Sequence, residues 1–237
     1  MAGLTVEIGH RFGSISSYCK NYKADFDCPD ISVSVSETDI AYEREKSRRE
    51  YEFEGLDYPG FSDPELELTA VYRKIAKKLP SFGGFVFHGS AVAVGERAYL
   101  FTAKSGTGKT THTNLWLKNI DGAYIVNGDK PIIRFMNGIP FVCGTPWSGK
   151  EGMNKNICVP LHAVCALERG KENIIERVDF REIMPLMVQQ AYRPDTPSEL
   201  VSTLKLVDDL SRKTAFYRLH CNMDKEAAFT AFGELSK

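Results

Sequence analysis

Eight consecutive residues, Ala103-Lys104-Ser105-Gly106-Thr107-Gly108-Lys109-Thr110, bring two glycines, two lysines and three hydroxyls into one short stretch. Small residues let a backbone wrap closely around a polyphosphate and turn several N–H donors toward it. Lys109 is spaced to carry positive charge to β- and γ-phosphates, and the Thr110 hydroxyl to ligate Mg²⁺. A helix beginning here would point its positive end at the same anion. Lys104, Ser105, Gly106, Thr107, Gly108, Lys109, Thr110 and Thr111 are therefore the expected nucleotide contacts, with ATP and Mg²⁺ as cofactors. The first glycine of the G-x-x-x-x-G-K-S/T pattern is replaced by Ala103. Alanine lacks left-handed freedom, so the turn must be made there with φ below zero.

Phosphoryl chemistry also asks for a carboxylate, either to hold the metal or to take the acceptor's proton. Asp129 stands at the tip of the apolar run Ala123-Tyr124-Ile125-Val126, some twenty residues past the loop, and suits either task. A plain turn aspartate in Asn-Gly-Asp is the alternative. His88 follows Phe85-Val86-Phe87 and precedes Gly89, so it is expected within the same sheet near the loop, as a catalytic or a structural histidine. Trp147 and Lys150, in Gly144-Thr145-Pro146-Trp147-Ser148-Gly149-Lys150, lie in a turn-rich segment of the kind that carries substrate contacts. Arg193 closes a helical stretch, where it could neutralise developing phosphate charge or lie on the surface.

The elements that must position these residues follow from periodicity. Ile31-Ser32-Val33-Ser34-Val35-Ser36 alternates as a half-buried strand does, and Tyr51, Phe53 and Leu56 hint at another. The mixed-sign run Glu43 to Glu50 reads as a solvated face. Ser62, Pro64 and Glu65 start a helix whose stripe is Leu66, Ala70, Val71, Ile75 and Leu79, with Pro80 as its stop. A strand-like run from Phe85 to Val94 turns at Gly95-Glu96 into Arg97 to Thr102, which feeds the glycine-rich loop. Thr110 to Lys118 reads as a helix. Asn137-Gly138 makes a hairpin between two strands, and Val159 to Leu167 forms one more. Capping boxes at Asp179/Glu182 and Thr196/Glu199 begin two helices, and Ala215 to Leu219 is a strand before a last helix. The expected fold is α/β (α+β): residues 1–80 form a β-rich subdomain with one helix, and residues 81–237 form a loop-bearing mixed-sheet core flanked by helices.

The chain has 237 residues, 43% hydrophobic and 26% charged, as in a globular protein with a real core. With 30 Lys+Arg against 31 Asp+Glu the formal net charge is -1, so no basic field calls for nucleic acid. Six cysteines occur without a Cys-x-x-Cys pair, which argues against zinc, and Cys143, Cys158 and Cys165 read as small hydrophobes in apolar stretches. Neither a leader pattern nor a membrane-spanning run stands out. The expectation is a cytoplasmic protein with no membrane partner.

Phe87-His88-Gly89-Ser90-Ala91-Val92-Ala93-Val94, followed by Ser105-Gly106-Thr107-Gly108-Lys109-Thr110-Thr111 and then Asp129, resembles the core of the HPr kinase and phosphoenolpyruvate carboxykinase superfamily. The likeness is nearest to its small bacterial HPr-kinase-like branch. It covers about residues 85 to 170 and implies a kinase with His88 beside the γ-phosphate, and makes a homo-oligomer plausible. In the family two adjacent aspartates divide base and metal work; here Gly128-Asp129 supplies one. The function expected is ATP- and Mg²⁺-dependent transfer of the γ-phosphoryl group to a hydroxyl of a peptide, protein serine or small metabolite. Asp129, His88 and Lys109 would be catalytic, and Thr110 and Asp129 would hold the metal. A non-catalytic ATP-binding regulatory module and a carboxykinase-type enzyme are the alternatives.

Overall fold

The computed structural model describes every residue from Met1 to Lys237 and divides into two compact units, Gly3–Lys78 and Leu79–Lys237 with Met1–Ala2.

The first unit departs from the β-rich expectation. Its strands are β1 (Val6–Gly9) and β2 (Ile31–Ser34), a parallel pair. The remainder is mainly helical: α1 (Ser14–Tyr18), α2 (Glu37–Phe53) and α3 (Asp63–Lys78). Helix α2 takes the residues read as a solvated charge run and a further strand. Its Ser36/Asp39 capping box satisfies the first turn, and its Glu, Lys and Arg residues are good helix formers that lose little rotamer freedom there. Tyr51 and Phe53 thus occupy its last turn. The charged run is not wholly solvated, because buried Glu43 is gripped by Arg73 of α3 at 2.5 and 2.9 Å. Helix α3 starts and stops as expected, with Leu66, Ala70, Val71 and Ile75 buried.

In the second unit, β3 (Gly84–Val86), β4 (Ser90–Val94) and β5 (Arg97–Thr102) are followed by α4 (Lys109–Asn119), then β6 (Ala123–Asn127), β7 (Ile132–Met136) and β8 (Ile139–Cys143). Next come β9 (Cys158–Arg169), β10 (Ile174–Arg177), α5 (Phe180–Gln190), α6 (Pro197–Ser211), β11 (Ala215–Cys221) and α7 (Glu226–Leu235). The sheet runs β3-β7-β8-β9-β5-β4-β6, with β11 also paired to β9. It is mixed: β5, β9 and β11 are parallel, and the other pairings are antiparallel. Both faces are buried, so the strands alternate between two cores rather than between core and water. Leu100, Val164, Ala166 and Phe216 meet α5 and α6. Tyr99, Phe101, Cys165 and Leu219 meet Trp116 of α4 and Leu235 of α7.

The second unit differs from the sequence expectation at two points. The run Phe85 to Val94 is not one strand: it breaks at His88-Gly89. Here the His88 N–H donates to the Gln190 carbonyl at 2.8 Å and the Gly89 N–H to the Asp129 carbonyl at 2.9 Å. A Cβ on Gly89 would sit 2.9 Å from the Phe101 carbonyl oxygen, so the close approach requires glycine. Cys143 and Cys158 are not free thiols; they face one another across β8 and β9 with Cα atoms 4.1 Å apart and form a disulfide. Their sequence separation of 15 gives no hint of that register. No helix is long and apolar enough to cross a membrane.

Candidate functional site

Antiparallel and parallel pairing together bring four chain points to one edge of the sheet. The carboxyl ends of β5, β6 and β9 share that edge, as does the amino end of β4. It therefore gathers the glycine-rich loop after β5, Gly128-Asp129 after β6, His88-Gly89 before β4, and Arg169 closing β9.

Within the loop, Lys104 to Thr107 forms a turn. Both the Thr107 N–H (3.3 Å) and hydroxyl (2.9 Å) donate to the Lys104 carbonyl. Gly106, third in this turn, has φ +74°, and Gly108 before α4 has φ +120°, conformations that favour glycine. Ala103 is buried and keeps a φ outside the positive region, as its side chain demands. No side chain caps α4, so the amides of its first turn are left to other acceptors. Lys109 Nζ donates to the Ala103 carbonyl at 3.2 Å. Burial lowers its pKa, with the nearby Asp129 carboxylate opposing and Lys130 adding to the fall. Beneath the loop, buried Thr113 bonds Ser90 at 2.7 Å, and His112 accepts from the Trp116 indole at 3.0 Å.

Asp129 is held by a buried side-chain frame. Asn127 Oδ1 accepts the N–H groups of Asp129 (2.9 Å) and Lys130 (2.8 Å). Its amide nitrogen donates to the Thr145 carbonyl at 2.9 Å, while the Thr145 hydroxyl donates to the Lys130 carbonyl at 2.8 Å. The carboxylate then meets two cationic or potentially cationic groups: His88 Nε2 at 3.2 Å on one oxygen and Lys130 Nζ at 2.5 Å on the other. Burial would raise the Asp129 pKa, but the His88 hydrogen bond and the Lys130 ammonium outweigh it and hold the group well below the usual carboxylate range. A carboxylate this firmly ionised orients neighbours and attracts cations; it is a weak proton acceptor.

The structure thus brings Lys109, His88 and Asp129 into one cluster, with Thr110 on the first turn of α4. The Trp147 segment passes over it: a Cβ on Gly149 would lie 3.2 Å from the Asp129 Cβ. Trp147 is half-buried and Lys150 exposed. Arg193 is exposed in the connection after α5, three residues past its end, and no hydrogen bond ties it to the cluster. Sequence reasoning missed Lys130, Asn127, Thr145 and Arg169. The signal for Lys130 was its adjacency to Asp129. Arg169, which donates to the Gly106 carbonyl at 2.6 Å, was signalled by the period of β9 carried two residues past Leu167. No group of three His, Cys, Asp or Glu side chains is disposed to cage a metal. The Thr110 hydroxyl and the Asp129 carboxylate are nevertheless the hard oxygen donors that suit Mg²⁺, which takes its other ligands from phosphate and water.

No family model matches the chain, and no curated protein does. Among solved structures it is similar to the HPr(Ser) kinase/phosphatase from Coxiella burnetii, with a TM-score of 0.31 and 12% identity, over 54% of this chain and 97% of that one. A likeness of that degree assigns neither activity nor substrate to this chain, whose chemistry has to be read from the cluster itself.

Proposed function

We propose that this chain is an ATP- and Mg²⁺-dependent phosphotransferase that moves the γ-phosphoryl group to a hydroxyl of a peptide, protein serine or small metabolite. The observation that carries the reading is the grouping of Lys109 and the uncapped start of α4 with the His88–Asp129 pair at one sheet edge. Lys109 and the loop amides bind the phosphates, and transfer requires mainly such positioning and charge neutralisation. Thr110 and Asp129 would hold Mg²⁺, which when bound neutralises charge on the β- and γ-oxygens. The ionised Asp129 accepts the Nε2–H of His88, which leaves the Nδ1 lone pair to take the acceptor's proton. A cytoplasmic location suits ATP use.

One observation favours a second reading, a nucleotide-sensing module without transfer. Lys130 occupies one Asp129 oxygen and competes with a metal for it. Incubating purified protein with γ-labelled ATP and the host's peptide and metabolite extract separates the two. The kinase reading expects label on an acceptor, absent with Lys109→Ala; ATP binding without transfer to any acceptor would favour the sensing module.

A further inference from the structure

Arg169 lies outside the Ala103–Thr110 stretch by some sixty residues, yet its guanidinium touches that loop directly. Its placement follows from the sheet. In β9, residues 163, 165 and 167 face the α4 side, so Arg169 falls on that side by the two-residue period. Thr102, the last residue of β5, pairs with Ala166. Arg169 is therefore three residues farther along, level with the loop that follows β5. Its backbone is fixed: Arg169 pairs with Cys221 of β11, and the Gly170 N–H donates to the Cys221 carbonyl at 2.9 Å. A Cβ on Gly170 would come within 3.0 Å of the Glu172 carbonyl oxygen and the His220 Cβ, so this strand end has no slack. Glu168 faces the other side, where it pairs with Arg218 at 3.2 Å.

From this rigid base Arg169 donates to the Gly106 carbonyl at 2.6 Å. A trans peptide is planar and its C=O and N–H point oppositely. Holding the Gly106 oxygen toward Arg169 therefore turns the Thr107 N–H the other way, into the concave side of the turn, where it meets the Lys104 carbonyl. Gly106, at φ +74°, is the residue whose peptide could otherwise rotate most freely. The cation also neutralises the partial negative charge of a carbonyl that would repel a polyphosphate.

We propose that Arg169 is a positioning residue for nucleotide binding: it clamps the Gly106–Thr107 peptide, and with it the turn closed between Thr107 and Lys104 just before α4, and so sets affinity for Mg-ATP rather than the rate of the chemical step. The inference rests on the phosphotransferase reading above. The test compares wild type, Arg169→Ala, Arg169→Lys and Glu168→Ala by titration with a fluorescent ATP analogue plus Mg²⁺, and by steady-state ATP turnover. A clamp on one carbonyl needs one cationic donor, so Arg169→Ala raises Kd and KM tenfold or more with kcat within about twofold, following the net worth of a charged hydrogen bond. Arg169→Lys recovers most of the affinity, and Glu168→Ala leaves it within twofold. An unchanged Kd in Arg169→Ala, or a fall in kcat at constant KM, overturns the proposal while the nucleotide site stands. If wild type itself does not bind the analogue, the phosphotransferase reading fails and this inference with it.

Discussion

His112 offers the sharpest test of the packing beneath the loop. It is 2% exposed, wedged between Phe101 and Trp116, and its Nε2 accepts the indole N–H at 3.0 Å. Burial lowers its pKa from 6.5 to about 4. The folded pKa lies below the unfolded one, so as pH falls through 6.5 the unfolded chain takes up a proton that the folded chain refuses. Stability is therefore complete above pH 6.5 and is lost progressively down to about pH 4. One pKa unit is worth about 1.4 kcal/mol, so the linkage removes about 2 kcal/mol by pH 5 and about 3 kcal/mol by pH 4. Urea unfolding of wild type and His112→Gln between pH 4 and 8 measures this. Glutamine keeps an acceptor for the Trp116 indole but does not titrate. The variant's absolute stability can fall, yet its pH dependence should be flatter than that of wild type by about those amounts. Parallel pH profiles for the two proteins would refute the reasoning.

Two further outcomes follow from the site. Gly144→Ala would push a Cβ to 1.8 Å from the Lys155 carbonyl oxygen and 2.8 Å from that of Val126. Both are backbone atoms beside Thr145, so no rotamer change relieves the clash, and the expected loss of at least about 3 kcal/mol should appear as a lowered Tm and weakened ATP turnover. Lys130→Met removes the ammonium 2.5 Å from Asp129, so the Mg²⁺ concentration for half-maximal turnover should drop about tenfold, the low end for one charged hydrogen bond; a higher requirement would contradict shared use of that carboxylate.

Local chemistry made much of the second unit legible. Gly95-Glu96 and Asn137-Gly138 marked the hairpins they form, because Gly95, Asn137 and Gly138 adopt positive φ. The Ser62/Glu65 pattern marked the start of α3 for the same kind of reason, hydrogen bonds made within four residues. The Asp129–His88 approach was foreseen only as two residues of one sheet, since the meeting depends on β4 pairing with both β5 and β6. What stayed hidden is non-local. Helix α2 has a weak apolar stripe, and its burial of Glu43 depends on Arg73, thirty residues away. The disulfide, the Asn127–Thr145 frame and the Arg169 contact all depend on strand register, which residue types alone do not specify.

The claim on which the rest depends is that the loop between β5 and α4 holds a nucleotide's phosphates through Lys109. Calorimetric titration of wild type and Lys109→Ala with Mg-ATP tests it most directly. The account predicts binding by wild type and a loss of about a hundredfold in the variant, equivalent to about 2.8 kcal/mol. Equal affinities, or no binding by wild type, would contradict it.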